Sequence, residues 1–275
     1  MTAADHPQKE HFADLFHRSA GTYDAVGVDF FAPLASALVA RAGLAPGMSV
    51  LDVGTGTGAS LRAARAAVGP AGEVLGIDLA PGMVERTSRE MADLPNVTVA
   101  LGDAEHPPSR PGGWDAAIAA LLLFYLPDPV GAATRIREVL RPGGVFVAST
   151  FDGPDDRWRI VESAISPFWP PADGPSHPSA ASPFATVEST EDLLRQAGFV
   201  DIDTVVIEHV NVYASVDHWL EWTWSGGARG MWERVPAADL EAAQSAAGEV
   251  VSTLANDDGM LEERFRIRLT RAIAP

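Results

Sequence analysis

The sequence predicts an α/β fold in which a mostly parallel sheet is covered by helices on both faces. Short apolar, β-branched runs alternate with helical stretches between positions 48 and 150. These runs are apolar at nearly every residue, as expected for strands that are buried on both faces. Glycine- and proline-rich turns separate the two kinds of segment, which is typical of βαβ units.

Seven strands are predicted from this pattern. Five of them form the alternating region: 48–53, 73–78, 97–101, 115–120 and 145–149. Helices are predicted over 59–68, from Pro81 onward, over 130–140 and over 188–197. A sixth strand is predicted over 200–207. Residues 265–270 alternate between apolar and polar, and therefore predict a last, half-exposed strand that lies antiparallel at an edge of the sheet.

Three further segments stand outside this alternation and are predicted to cover the site. We expect a single domain, 1–275, in which these segments are additions to a binding core. The predicted parts are an N-terminal helical lid (1–44), the core (45–150), two cap insertions (151–187 and 214–262), and the remainder of the sheet (188–213 and 263–275).

Composition narrows the range of partners. Acidic residues outnumber basic ones 37 to 20, giving a net charge of −17. We expect no nucleic-acid partner and no membrane partner, because phosphate-rich surfaces would repel this charge. The first ten residues are polar and no long apolar run occurs, so a cytoplasmic protein is expected. The absence of cysteine excludes disulfides and thiolate chemistry.

Three glycines follow the first strand directly. Gly54, Gly56 and Gly58 precede an Ala-rich helix, so a ligand can lie against the backbone close to a helix N-terminus. A dinucleotide site would suit this arrangement, with Asp78 on the ribose, although Ala59 occupies the position of the third glycine. The glycines alone therefore leave the ligand open.

Four motifs extend the pattern beyond the glycines. They read VLDVGTGTG at 50–58, VLGIDLA at 74–80, GDAE at 102–105 and LRPGG at 140–144. In this order they resemble the motifs of class I S-adenosylmethionine (SAM)-dependent methyltransferases, nearest to the small-molecule, ubiquinone-biosynthesis-like subgroup. The resemblance implies a Rossmann-like fold with a seven-stranded sheet, an antiparallel edge strand and helical lids. It also implies SAM as cofactor and S-adenosylhomocysteine (SAH) as product.

The resemblance assigns roles around the cofactor. Gly54 and Gly56 would carry the methionine part and the ribose, and Asp52 would orient the SAM amino group from beneath the loop. Asp78 would accept hydrogen bonds from both ribose hydroxyls. The remaining cofactor contacts implied are Leu79 and Met83 on the adenine face, Asp103 and Ala104 on its edge, a backbone carbonyl of Ala119 or Ala120 on the ammonium, and Tyr23 closing over the site.

The acceptor side is less defined. Where the family often has a polar or histidine-containing stretch, residues 121–129 read LLLFYLPDP, and six of the seven tryptophans follow position 150. We therefore expect an apolar, aromatic acceptor pocket. Its predicted residues are Phe124, Tyr125, Trp169, Trp219 and Trp222, although Trp219, Trp222 and Trp232 could equally form the buried stripe of the cap helices.

A general base is not fixed by the sequence. Candidate catalytic groups are His177, His218 and Tyr125, with His209 also considered, because imidazole titrates in the useful range. No metal-ligand spacing occurs among the seven histidines, so no metal is expected.

We expect methyl transfer to a small apolar or aromatic metabolite, of a natural-product type. Three alternatives stay open: a SAM-binding enzyme that does not methylate, such as a cyclase, a nicotinamide-dependent oxidoreductase, and a non-catalytic binding module. The acceptor, the methylated atom and the oligomeric state are not determined by the sequence.

Overall fold

A computed structural model of the chain describes residues 6–153, 155–170 and 182–275. Seven strands form one sheet in the order β3-β2-β1-β4-β5-β7-β6. The strands are β1 (Ser49–Val53), β2 (Glu73–Asp78), β3 (Val97–Leu101), β4 (Trp114–Ala120), β5 (Leu140–Phe151), β6 (Val200–Tyr213) and β7 (Leu261–Ile273).

Ten helices accompany these strands in the described residues. They are α1 (Pro7–Ser19), α2 (Phe31–Ala42), α3 (Ala59–Val68), α4 (Pro81–Glu90), α5 (Pro129–Val139), α6 (Arg159–Ile165), α7 (Val187–Gln196), α8 (Val216–Ser225), α9 (Arg229–Glu233) and α10 (Leu240–Ser252). Three single-turn 3₁₀ segments lie at Leu123–Tyr125, Asp156–Trp158 and Ser166–Phe168.

Strands β1 to β5 pair in parallel, as predicted from their continuous apolar runs. Every residue of β1 is buried, because β2 and β4 flank it and helices cover both faces. One hydrophobic cluster joins the sheet to α2 and α3, and a second joins the opposite face to α5 and α7. The predicted class of fold, a mostly parallel seven-stranded sheet with an antiparallel edge, is confirmed.

The antiparallel edge consists of two strands. β7 pairs antiparallel with both β5 and β6, so it lies inside the sheet and β6 is outermost. The expectation that 265–270 would itself be the outer strand was therefore wrong. Strand β6 runs six residues beyond the predicted end at 207, and β7 begins at Leu261. Residues 207–213 and 261–267 consequently form a long two-stranded extension of the sheet.

The predicted cap insertions contribute helices above this extension. Helix α10 packs against α6 and α8, and α8 contacts β6. Trp158, Trp219 and Trp232 fill the interior between these helices. The cap therefore has an aromatic core of its own that continues into the core of the sheet.

Candidate functional site

A pocket opens at the carboxyl ends of β1 to β4. The chain leaves β1 toward β2 on one side, while β4 lies on the other, so the pocket is at the point where the strand order reverses. Open α/β sheets bind ligands at such points. The lining residues are Lys9, Phe12, Ala13, Phe16, Tyr23, Gly54, Gly56, Asp78, Leu79, Ala80, Met83, Gly102, Asp103, Ala104, Ala120, Leu121, Leu122, Tyr125 and Leu126.

The glycine loop forms the floor of the pocket. Gly54 and Gly56 both have positive φ, 69° and 54°, which favours glycine at these positions. A Cβ on Gly56 would meet no atom within 4 Å, whereas a Cβ on Gly54 would lie 2.7 Å from Leu122 Cδ1. The backbone at Gly56 thus faces open space, which is the cradle that a ligand held against the main chain requires.

Asp78, at the end of β2, is oriented by the backbone. Its Oδ2 accepts from the Gly56 N–H at 2.8 Å, and its Oδ1 accepts from the Ala80 N–H at 2.9 Å. Burial raises the pKa of this carboxyl, while these amide donors oppose the rise. A carboxylate has about four acceptor positions, so each oxygen keeps one for a hydroxyl in the pocket. This arrangement fits a ribose diol.

Asp52 lies beneath the loop and outside the pocket wall. Its side chain is fully buried, and Oδ2 accepts from Thr55 Oγ1 at 2.6 Å. Oδ1 has no hydrogen-bond partner among the described residues. Burial raises the pKa of Asp52 to about 7, with a smaller contribution from the nearby Asp78 carboxylate. Asp52 could therefore act on a ligand only through the loop.

Asp103, at the end of β3, is held by the N-terminal helix. Lys9 Nζ lies 2.7 Å from Asp103 Oδ2 and 2.5 Å from Glu105 Oε2, and the Lys9 side chain is 3% exposed. Burial would raise the pKa of Asp103, but the Lys9 ammonium and the Glu105 N–H outweigh it and lower the pKa. The charged form of Asp103 is thus stabilised at the rim of the pocket.

Most residues that the resemblance assigns to the cofactor come together here. Nine line the pocket: Tyr23, Gly54, Gly56, Asp78, Leu79, Met83, Asp103, Ala104 and Ala120. Ala119 does not, because it is fully buried within the sheet and only the next residue reaches the strand end. Sequence reasoning missed the α1 contributions of Lys9, Phe12, Ala13 and Phe16, although Lys9 is the single lysine of the chain.

A closed series of aromatic contacts adjoins the pocket. We call it the aromatic circuit, and its neighbouring rings have centroids 4.6–6.1 Å apart. Its members in order of contact are Phe16, Tyr23, Phe31, Phe30, Phe265, Phe151, Phe124 and Tyr125, the last of which touches Phe16 again. Three of them, Phe16, Tyr23 and Tyr125, also line the pocket. The circuit thus includes three rings of the pocket wall and extends toward the β6–β7 extension.

The two tyrosines of the circuit present free hydroxyls. Neither the Tyr23 nor the Tyr125 hydroxyl bonds to a described residue. Burial raises the pKa of Tyr125 to about 12 and raises that of Tyr23 further, with nearby Tyr125 and Asp78 adding to the shift. Both phenols are therefore neutral donors at physiological pH. Gly227 makes room for one of them, because a Cβ there would lie 2.4 Å from the Tyr125 hydroxyl.

The predicted acceptor residues separate into two groups. Phe124 and Tyr125 belong to the circuit, and Trp222 packs against Phe30 and Phe31. Trp169 and Trp219 instead lie in the cap. Trp219 is 2% exposed among other tryptophans, and the Trp169 indole N–H donates to the Met231 carbonyl. Trp219 therefore lies on the buried side of α8, Trp169 follows the 3₁₀ turn Ser166–Phe168, and neither tryptophan is among the residues that line the pocket.

Neither His209 nor His218 is among the residues that line the pocket. Both ring nitrogens of His218 are engaged: Nε2 lies 2.7 Å from the Val26 carbonyl, and Nδ1 accepts from the Ala214 N–H at 3.1 Å. This arrangement makes Nε2 the protonated nitrogen and leaves no lone pair for a substrate proton. His218 thus links α8 to the segment before α2. His177 lies outside the described residues.

Comparison with known proteins identifies the family. Residues 50–144 match the family model described as a methyltransferase domain. The nocamycin O-methyltransferase of Saccharothrix syringae is 36% identical over 234 residues, which cover 80% of this chain and 84% of that protein. The aklanonic acid methyltransferase DauC of Streptomyces sp. strain C5 is 35% identical over 64% of this chain and 77% of its own. The chain belongs to the class I SAM-dependent methyltransferases.

This methyltransferase uses SAM as its cofactor, and the pocket residues fit that molecule. The glycine cradle, Asp78 in the pocket wall and the acidic rim at Asp103 are the groups that would hold it. A solved structure described as the [4+2]-cyclase SpnF aligns with 97% of this chain and 94% of its own, with a TM-score of 0.58 and 19% identity. At that identity the likeness concerns the fold alone.

Metal-binding clusters and membrane-spanning helices are both absent from the described part of the chain. No group of three or more His, Asp or Glu side chains within residues 6–153, 155–170 and 182–275 could hold a metal ion. Over the same ranges, every helix is too short or too polar to cross a bilayer.

Proposed function

We propose that this methyltransferase methylates an oxygen atom of a small, apolar, largely aromatic natural product. The aromatic circuit carries the proposal, because its rings begin at the wall of the cofactor pocket. Planar apolar molecules pack well against such rings, and small-molecule sites combine apolar walls with a few polar groups. The polar groups here would be the hydroxyls of Tyr23 and Tyr125.

The chemistry needs positioning more than acid–base assistance. When bound, SAM supplies an electrophilic methyl group on a sulfonium. Asp78 and Asp103 would fix the adenosine half, while the aromatic circuit would hold the acceptor and exclude water. The neutral hydroxyls of Tyr23 and Tyr125 would donate to the acceptor oxygen and orient it. Acceptor oxygens that ionise near neutral pH, such as carboxylic acids and acidic phenols, would need no base.

The relatives support the same class of acceptor. The name of the nocamycin enzyme states O-methylation, and the name of the aklanonic acid enzyme states an acid as its substrate. The two proteins are 36% and 35% identical to this chain. The apolar stretch LLLFY at 121–125, in place of a polar one, agrees with an acceptor that is itself apolar.

Methyl transfer can be tested with tritium-labelled SAM and acceptors of contrasting chemistry. The panel would contain 6-hydroxyanthraquinone-2-carboxylic acid, anthraquinone-2-carboxylic acid and, as a polar amine, phosphoethanolamine. We expect label in an anthraquinone product that alkali or mass spectrometry identifies as an O-methyl compound, and none in the amine. Asp78→Ala should abolish the signal by loss of cofactor. Tight SAH binding without transfer to either anthraquinone, or transfer to the amine instead, would overturn the proposal.

A further inference from the structure

A row of buried polar side chains lies on the β6–β7 extension. Asn211 is directly opposite Glu263, and His209 is directly opposite Phe265. Because residues two apart on a strand share a face, these side chains point to the same side of the sheet. Along β6, Asn211 and Tyr213 are buried, whereas Val212 between them is exposed. The side that carries Asn211 therefore faces the protein interior. We call His209, Asn211 and Glu263 the polar strip.

Two atoms of the polar strip are buried without a hydrogen-bond partner in the described residues: Asn211 Oδ1 and His209 Nε2. Asn211 is 1% exposed. Its amide Nδ2 donates to the Tyr213 hydroxyl at 3.0 Å, and that hydroxyl donates to Glu263 Oε2 at 2.6 Å. The hydroxyl proton is thus donated to Glu263 and not to Asn211 Oδ1. Buried polar atoms without partners are costly and rare, and they commonly mark a place where a ligand or water binds.

The polar strip borders the aromatic circuit at its far side. His209 contacts Phe30 with ring centroids 5.3 Å apart, and Phe265 lies opposite His209 across the strands. Along the circuit, Phe30 follows Tyr23 and Phe31, and Phe265 is separated from Tyr125 by Phe151 and Phe124. The strip therefore lies beside Phe30 and Phe265, two rings of the circuit that do not line the pocket.

We infer that the polar strip binds a hydrogen-bond-donating group, a hydroxyl or an amide N–H, at the end of the acceptor opposite the methylated oxygen. The inference rests on the proposed function, because it takes the aromatic circuit as the acceptor site. Asn211 Oδ1 accepts the hydrogen bond, and His209 and Glu263 are its neighbours on the same face of the two strands. An acceptor with an apolar far end would leave Asn211 Oδ1 unpaired and would bind more weakly. The acceptor is thus an elongated molecule with an aromatic body and a polar group at each end.

A matched pair of acceptors tests the inference. Dissociation constants of 6-hydroxyanthraquinone-2-carboxylic acid and anthraquinone-2-carboxylic acid would be measured by fluorescence titration of the SAH-loaded enzyme. We expect the hydroxylated compound to bind about tenfold more tightly, the effect of one hydrogen bond to a buried group. Asn211→Leu, which keeps the size and removes the acceptor atom, should bring the ratio to about one. Its affinity for the compound without the hydroxyl should stay within about twofold.

Two further variants control this experiment. Glu208→Gln lies on the exposed face of the same strand and should keep the tenfold ratio. His209→Phe alters the strip without touching Asn211 and should reduce the ratio, which answers the question even if Asn211→Leu fails to fold. Equal binding of the two compounds to the wild type, or a preference that survives both strip variants with SAH affinity intact, would overturn the inference. Binding of neither compound would instead contradict the proposed function.

Discussion

Two buried acids, Asp52 and Asp78, show how position decides the role of a residue. They are 26 residues apart in the chain, yet both lie at the glycine loop, and burial raises the pKa of each. Asp78 accepts two backbone N–H groups and faces the pocket. Asp52 accepts one hydroxyl and faces the protein interior. The first can bind a ligand directly, whereas the second can only shape the loop.

Asp52→Asn should change how stability depends on pH. The pKa of Asp52 is about 7 in the folded protein, against a reference of 3.8, so the folded state holds the proton more strongly. Its contribution to the free energy of unfolding is therefore present at low pH and is lost as pH rises from about 4 to about 7. We expect urea unfolding to show a loss on the order of 3 kcal/mol over this range in the wild type that is absent in Asp52→Asn.

Comparing the wild type with Asp52→Asn isolates the titration of this carboxyl, because the two proteins share all other titrating groups. Parallel pH profiles for wild type and Asp52→Asn would show that the buried carboxyl does not retain its proton on folding.

At this scale the sequence predicts the cofactor side far better than the acceptor side. Asp78 and Asp103 follow strands that are recognisable from their apolar runs, so their meeting at one sheet edge could be foreseen. Trp219 of α8 could not be assigned in the same way. A helical stripe of aromatic residues has the same spacing whether it faces a ligand or a neighbouring helix.

At the scale of elements, helix α1 connects the cofactor pocket to the cap. Near its beginning Lys9 binds Asp103 and Glu105, and near its end Arg18 pairs with Glu233 of α9. Between these ties, Phe12 and Phe16 line the pocket. The first tie is buried and the second is largely exposed, so they should differ in strength.

Lys9→Met should loosen α1 and weaken cofactor binding. The substitution leaves the Asp103 and Glu105 carboxylates close together without their cation, which is costly at a buried site. We expect a rise of about tenfold in the Kd for SAH by calorimetry, and faster amide hydrogen exchange over residues 7–19.

Arg18→Met is the matched control at the other end of the same helix. The Arg18 side chain is 43% exposed in the ion pair with Glu233, and such pairs contribute little. We expect a change in SAH affinity below about twofold. Equal effects of the two substitutions would contradict a special role for the buried tie.

The turn between α8 and α9 is a second element with a specific steric requirement. A Cβ on Gly227 would lie 2.4 Å from the Tyr125 hydroxyl, whereas a Cβ on Gly226 would lie 3.7 Å from the Tyr23 ring. Gly227→Ala should therefore displace Tyr125 and lower kcat/KM for the aromatic acceptor about tenfold, with SAH affinity unchanged. Gly226→Ala should stay close to wild type. Steady-state kinetics on both variants would check this, and similar losses at the two glycines would argue for strain in the turn instead.

The elements of the sheet were predictable to different degrees for a physical reason. β1 is buried on both faces, so its sequence is continuously apolar and its bounds are clear. The end of β6 mixes Glu208, Asn211 and Val212 because one face is exposed and the other carries polar groups. The alternation of apolar and polar residues that would predict a strand is therefore missing at the end of β6. The tie between Lys9 and Asp103 spans 94 residues, and a single sequence contains no signal for such a pair.

At the scale of the whole molecule, ligand binding should stabilise the fold in a cofactor-specific way. The pocket is lined by residues of α1 and by residues at the ends of β1 to β4, so a bound ligand would link α1 to the sheet. SAH at 100 times its Kd should add about 2.7 kcal/mol to the free energy of unfolding. In a thermal melt this corresponds to a rise of a few degrees. NADH at the same concentration should have no effect, and a rise with NADH but not with SAH would contradict the assignment of the pocket to SAM.

The position of β7 has a consequence for how the chain folds during synthesis. β7 leaves the ribosome after β6, yet it is inserted between β5 and β6. Until residues 261–273 emerge, the nascent β6 has no neighbour in the sheet, and the outer side of β5 is open. The first five strands can assemble early. The pairing of β6 with β7, which brings Asn211 opposite Glu263, can form only after β7 has been synthesised. The strands that carry the glycine loop are therefore expected to mature before the strands that carry the polar strip.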